Sequence, residues 1–218
     1  NGDKKEHYHN LLNFITPVIK AYCSHMGFRV CETALQCLGG YGYTKDYPLE
    51  QYLRDVKIMS LYEGTNGIQS IDLMGRKVNL KNGIFFKAFK SELESFCREN
   101  WNHSTLEKEI QFLSKAIKKL NERIFEMSER FQSDRLQWAS YTYPTLLCFG
   151  DVTLAWRLLD MAIIAQRIMD AGKKNEFYLA KVMQATYFTG VVLPQTLARL
   201  DTCTRNGREI LEMPEKGF

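Results

Sequence analysis

At 218 residues, with 45% hydrophobic and 25% charged residues, the sequence has an ordinary globular composition and enough length for one sizeable core or two small ones. Its net charge of +4 comes from basic and acidic residues interspersed along the chain, which argues for a solvated surface and against nucleic-acid binding. Six separated cysteines (Cys23, Cys31, Cys37, Cys97, Cys148, Cys203) form no Cys-x-x-Cys pair and have no histidine cluster beside them. That pattern argues against a metal site and a disulfide framework, and for buried thiols in a reducing, cytoplasmic setting. No run approaches the roughly 18 apolar residues of a membrane span, and no signal peptide is visible. The opening Asn1-Gly2-Asp3 lacks a methionine and leads straight into a charged helical pattern, so a start inside a longer protein is expected.

Lys4 to Ile15 is expected to be a helix with Leu11, Leu12 and Ile15 on one side. Thr16-Pro17 then reads as a new helix start, with threonine as N-cap and proline at the first helical position, where its missing N–H costs nothing. Val18, Tyr22, Met26, Val30, Ala34 and Leu38 repeat every four residues and carry that helix to Leu38. Gly39-Gly40 stops it, because glycine accepts the left-handed conformation that closes a helix. Tyr41 to Tyr47 lacks periodicity and is expected as a loop. Pro48 opens a short helix over Glu50 to Val56, and a further turn covers Ile58 to Tyr62. Thr65 caps a helix to about Val78, with Ile68, Ile71, Leu73 and Val78 on its apolar side. Asn79 to Gly83 is a break, which divides the chain into expected units of residues 1–80 and 81–218.

The second unit is more regular. Phe85, Phe89, Leu93 and Phe96 mark a helix from Ile84 to about Arg98, and Ser104 with Glu107 reads as a capping box. From Leu106 the apolar positions Ile110, Leu113, Ile117, Leu120, Ile124, Met127 and Phe131 alternate steps of four and three, a coiled-coil-like seam of about seven turns. Such a stripe could dock a partner, but it is far more often bundle core. A helix from Asp134, interrupted or kinked at Pro144, is expected to end at Gly172. Asn175 caps a last long helix to about Thr202, with a kink at Pro194. The tail from Gly207 to Phe218 carries one turn over Glu209 to Glu212. No segment alternates apolar and polar residues over strand length. The fold class is all-α, a helical bundle followed by a second antiparallel helical subregion.

Chemistry concentrates between Gln36 and Gln69. Gly39-Gly40-Tyr41-Gly42 follows a helix and lacks a Lys-Ser/Thr continuation, so it fails the context of a P-loop or a Rossmann fingerprint. It says that backbone approaches something closely after Gln36, either another helix or a flat ligand. Glu63, in Tyr62-Glu63-Gly64-Thr65, stands beside a helix start. There it serves either as dipole compensation or, in an apolar cavity, as a general base with a raised pKa. Arg54-Asp55 reads as a local ion pair, and His7, His9, His25 and His103 as incidental.

Taken together, Gln36-Cys37-Leu38-Gly39-Gly40-Tyr41-Gly42-Tyr43, Tyr47-Pro48, Arg54-Asp55 and Leu61-Tyr62-Glu63-Gly64-Thr65 resemble, in order and spacing, the C-terminal helical domain of the acyl-CoA dehydrogenase family. The resemblance covers about Thr16 to Arg76. From about Ile84 onward, the pattern resembles the extra helical region of longer bacterial members, including those acting on methylthiopropionyl-CoA.

The resemblance implies that Glu63 is the catalytic base. It would take the proton α to the thioester carbonyl while the β-hydrogen leaves as hydride to FAD, and its backbone N–H would help to stabilise the enolate-like oxygen. It further implies that Gln36 and Gly40 approach the FAD of a neighbouring subunit and that Thr65 contacts FAD phosphate or ribose at a helix N-terminus. Tyr62 and Gly64 would line the acyl-thioester slot. Gly67 departs from the family, where many members carry a glutamine. The implied partners are an acyl-CoA substrate, further copies of the chain in a homo-oligomer, and an electron-transfer flavoprotein. The family's N-terminal and β domains are absent from these residues, so the chain is expected to be a fragment that neither retains FAD nor turns over alone. Two other readings stay open: a non-catalytic helical assembly module of the same family, and an acyl-CoA oxidase.

Overall fold

A computed structural model describes residues 2–173, 175–203 and 208–217. Among these residues there is no strand, so the chain is all-α as the sequence pattern requires. The first helix, α1, runs unbroken from Gly2 to Cys37 with Pro17 inside it. The expected break at Thr16-Pro17 does not occur. Thr16 does not cap; its hydroxyl donates to the Leu12 carbonyl at 2.7 Å. Proline removes one intrahelical bond, but Phe14, Pro17, Val18 and Ala21 are all buried there, and that packing offsets the loss. Phe14, fully buried between Phe89 and Phe149, is the apolar anchor of this turn, while Leu12 is 61% exposed.

Gly39 (φ +57°) closes α1 and leads into a 3₁₀ turn over Gly39–Tyr43. Helix α2 spans Leu49–Ile58, with Pro48 at its N-cap. Helix α3, Asn66–Ile71, is capped by Thr65, whose hydroxyl accepts the Ile68 N–H at 3.3 Å. It continues as a π-helical stretch, Asp72–Lys77. The wider turn re-aims the apolar side: Leu73, Met74 and Val78 face the core, whereas Ile68 and Ile71 remain exposed.

Helix α4, Leu80–Glu99, contains the expected break, because Lys81, Asn82 and Gly83 adopt left-handed backbone angles within it. Helix α5 spans Glu107–Ser133, and the Ser104–Glu107 capping box does not form. Leu106 holds the N-cap position and is itself buried, so packing rather than a side-chain cap fixes this helix start. From Leu106 to Met127 the whole seam is buried, and Phe131 packs edge-on against Trp138 at 4.9 Å. The stripe is core.

Helix α6, Arg135–Asp170, passes Pro144 without interruption and starts on Asp134, whose carboxylate accepts the Gln137 N–H. Gly172 (φ +89°) ends the turn after it. Asn175 caps α7, Glu176–Tyr187, through the Phe177 N–H. A π turn over Phe188–Val192 then precedes α8, Leu193–Thr202, with Pro194 in its first turn, so the expected kink is a local widening of the helix. One turn, α9, covers Glu209–Glu212, as the tail pattern requires; Gly207 and Phe218 lie outside the described residues.

One apolar core runs from Phe14 and Leu73 through Phe89, Leu113 and Phe149 to Leu200. A buried polar node ties its layers together. Asp151 on α6 accepts from Tyr22 Oη of α1 at 2.7 Å, and from Thr196 Oγ1 (2.9 Å) and Arg199 Nη1 (3.0 Å) of α8. Gly150 makes room for this, since a Cβ there would overlap the Tyr22 ring.

Candidate active site

The close backbone approach demanded by the glycine loop is made by Gly42. It is buried, and a Cβ on it would overlap the Leu35 carbonyl oxygen of α1. Gly40 has open space where its Cβ would be, and Gln36 is exposed in the last turn of α1. Gly42 therefore serves the fold of this segment, while Gln36 and the Gly40 backbone face outward.

Glu63 follows the turn that closes α2, in which the Tyr62 N–H reaches the Ile58 carbonyl at 3.1 Å. Its own backbone is left-handed (φ +55°), as is that of Gly64 (φ +82°). For a side chain with a Cβ, this conformation costs about 1–2 kcal/mol, so something outside the turn must hold it. Two arms do so. Gln69 Nε2 donates to the Glu63 carbonyl at 3.1 Å, and Lys20 Nζ, from the middle of α1, donates to the Gly64 carbonyl at 2.7 Å. A hydrogen bond from a charged donor contributes about 1.5–3 kcal/mol, less where it is exposed as here, which is enough to match the strain.

Asn66 anchors the arrangement from below. It is buried, its Nδ2 donates to the Ala21 carbonyl and to Ser24 Oγ, and its Oδ1 accepts from Lys20 Nζ at 3.1 Å. Its backbone N–H closes the loop on the Ser60 carbonyl at 3.1 Å. The N–H groups of Glu63, Gly64 and Thr65 donate to no partner among the described residues. The Glu63 carboxylate is exposed and equally unpartnered there. The loop thus presents one carboxylate and three unpartnered N–H groups on a backbone held by Gln69 and Lys20.

Tyr62, Glu63, Gly64 and Thr65 are brought together, and Gln36 with Gly40 forms a separate cluster. Lys20, which touches the first cluster, and Gln36 are sixteen residues apart on α1, or about 24 Å along its axis. Arg54 pairs with Glu50 one turn earlier (3.0 Å) rather than with its neighbour Asp55. That hydrogen bond raises the Arg54 pKa and lowers that of Glu50.

The cysteines divide into buried, exposed and, at Cys31, intermediate thiols. Cys97, Cys148 and Cys203 are buried, and burial pushes the first two up to about 12; Cys23 and Cys37 are exposed, against the expectation of buried thiols. No group of three or more His, Cys, Asp and Glu residues able to hold a metal occurs among the described residues, and no helix there is long and apolar enough to cross a membrane. Asn66 and Gln69 lie in the stretch where the sequence concentrates its chemistry but carry no assigned role there, and Lys20 lies outside it. The local signal at Lys20 is a lysine placed between the apolar pairs Val18-Ile19 and Ala21-Tyr22.

Residues 4–78 match the family model "Acyl-CoA dehydrogenase, C-terminal domain", and residues 89–214 match "Acetyl-CoA dehydrogenase C-terminal like". The chain belongs to the acyl-CoA dehydrogenase family. Among curated relatives, it is 28% identical over 215 residues to the broad-specificity linear acyl-CoA dehydrogenase FadE5 of Mycobacterium tuberculosis, covering 94% of this chain and 35% of that protein. It is 28% identical over 220 residues to a butyryl-CoA dehydrogenase of Syntrophomonas wolfei, covering 99% and 36%. It is also 25% identical over 213 residues to the 3-methylmercaptopropionyl-CoA dehydrogenase of Ruegeria pomeroyi, covering 93% and 34%. The chain spans about a third of the length of these relatives.

Proposed function

We propose that these residues form the C-terminal part of an FAD-dependent acyl-CoA dehydrogenase and that Glu63 is its catalytic base. The observation that carries this reading is the Glu63 turn itself. It holds a left-handed glutamate, clamped at its own carbonyl and the next, with its carboxylate and N–H both unspent. Backbone strain retained in this way, on an exposed loop, is typical of a functional position.

The residues assigned to FAD fit that group. Gln36 is exposed, the Gly40 backbone is unobstructed, and Thr65 Oγ1 accepts within its cap, leaving its own proton free for a phosphate or ribose oxygen. The distance between the two clusters along α1 supports their serving two different flavins, Gln36 and Gly40 that of a neighbouring subunit. Bound FAD supplies the hydride acceptor.

This chain's residues do the rest. A Glu63 carboxylate oxygen takes the α-proton of the acyl thioester as the α-C–H bond breaks. The Glu63 N–H donates to the thioester oxygen as negative charge builds on it, a fixed dipole that needs no reorganisation. Tyr62 and Gly64 line the acyl slot. Glu63 is exposed here, so the low-dielectric cover that a base of this kind needs comes from outside the segment, and activity is expected only with the rest of the enzyme.

In the full-length flavoprotein, Glu63→Gln is expected to keep the flavin spectrum while slowing bleaching by acyl-CoA about 10²–10⁴-fold, the usual contribution of a general base. Bleaching at the wild-type rate would show that another group takes the proton.

A further inference from the structure

We propose that Lys20 is a positioning residue for the Glu63 base, acting across 44 residues of sequence through the Gly64 carbonyl and Asn66. The inference rests on the reading of Glu63 as the base, and it concerns how α1 sets that base in place. Three features of the contact assign the role.

The first is chemical type. The ammonium group has three donors on a long stem, and two of them are used at once, one on the Gly64 carbonyl (2.7 Å) and one on Asn66 Oδ1 (3.1 Å). The second is where the other ends lead. Asn66 is buried and bonded to the Ala21 carbonyl and Ser24 Oγ, so Lys20 is braced against the residues one turn around it on its own helix. The third is direction. A trans peptide puts N–H opposite C=O, so fixing the Glu63 and Gly64 carbonyls toward Gln69 and Lys20 turns the Gly64 and Thr65 N–H groups away from those two donors and holds the backbone on the C-terminal side of Glu63.

The strut therefore ties the turn to α1, the helix whose far end carries Gln36. A shift of the base by about 1 Å is enough to lower a rate roughly 100-fold, so a lost strut should register in chemistry before it registers in folding.

The test uses the full-length flavoprotein. Lys20→Met keeps the stem and removes the donors. It is expected to lower the limiting rate of anaerobic flavin bleaching roughly 100-fold, with little change in the acyl-CoA concentration giving half-maximal rate or in flavin content. Lys20→Arg should recover most of the rate. Gln69→Ala, which removes the other arm without touching α1, should shift the rate in the same direction and serves if Lys20→Met fails to fold. As a readout independent of turnover, deuterium exchange at the Asn66 amide should speed up in Lys20→Met and return in Lys20→Arg. Wild-type bleaching and unchanged Asn66 exchange in Lys20→Met, while Glu63→Gln is inactive, would overturn the role of Lys20 and leave the base assignment standing. An active Glu63→Gln would instead remove the base assignment, whatever Lys20→Met does.

Discussion

Asp151 shows how much a single side chain can carry. One carboxylate, itself buried, accepts from Tyr22, Thr196 and Arg199, and so joins three helices. Asp151→Ala would leave the Tyr22 hydroxyl without its partner and Arg199 without its counter-charge. We expect it to destabilise the fold by about 3 kcal/mol, the lower end for breaking a buried pair, because Arg199 is part-exposed. Chemical denaturation would measure this; a loss under about 0.5 kcal/mol, the range of an inert surface change, would contradict it.

Tyr22 also makes the node sensitive to pH. Burial first, and then the Asp151 charge beside it, raise its pKa far above the ordinary tyrosine value. The folded state therefore prefers the protonated phenol. The stability this adds is fully present below about pH 10, the unfolded value, and drains as pH rises above it. Tyr22→Phe should flatten that alkaline decline.

At the scale of elements, the buried seam of α5 was legible because its physics is local. A residue every three or four positions is enough to place one face of a helix, and Leu113 on that face is fully buried. Leu113→Ala is expected to cost about 2–5 kcal/mol, and Leu12→Ala, on the exposed side of α1, under about 0.5 kcal/mol. Equal losses in thermal or chemical denaturation would contradict the assignment of the two faces.

Caps at Thr65 and Asn175, the helix start at Asp134 and glycine stops at Gly39 and Gly172 were legible for the same reason, since each is decided within four residues. The Thr16-Pro17 break does not form because burial of that turn depends on distant residues, with Phe14 packed against Phe89 and Phe149 from far along the chain. Ser104 failed as a cap because burial of Leu106 fixes where α5 begins. Lys20 could not be found, and Asn66, although inside the Gln36–Gln69 stretch, had no role assigned to it. Their meaning lies in contacts more than 40 residues distant, and neither has a periodic or compositional signature.

Over the whole molecule, the apolar core is continuous across the expected division near residue 80, and the Asp151 node joins α1 to α6 and α8 across the same line. The glycine loop and the Glu63 turn instead face away from this core, among exposed apolar side chains that include Tyr43, Tyr52, Leu61, Tyr62 and Ile68. The packed side of the molecule thus holds the turn in place, and its outer side carries the Glu63 carboxylate proposed as the base.

The most direct test of that division of labour isolates the proton transfer from every later step. In deuterated buffer, the full-length flavoprotein is mixed with an acyl-CoA whose acyl chain has an α-hydrogen but no β-hydrogen to lose, and deuterium at the α-carbon is followed by mass spectrometry. Exchange should be catalysed by the wild-type enzyme and lost in Glu63→Gln. Catalysed exchange that survives the substitution would contradict Glu63 as the base.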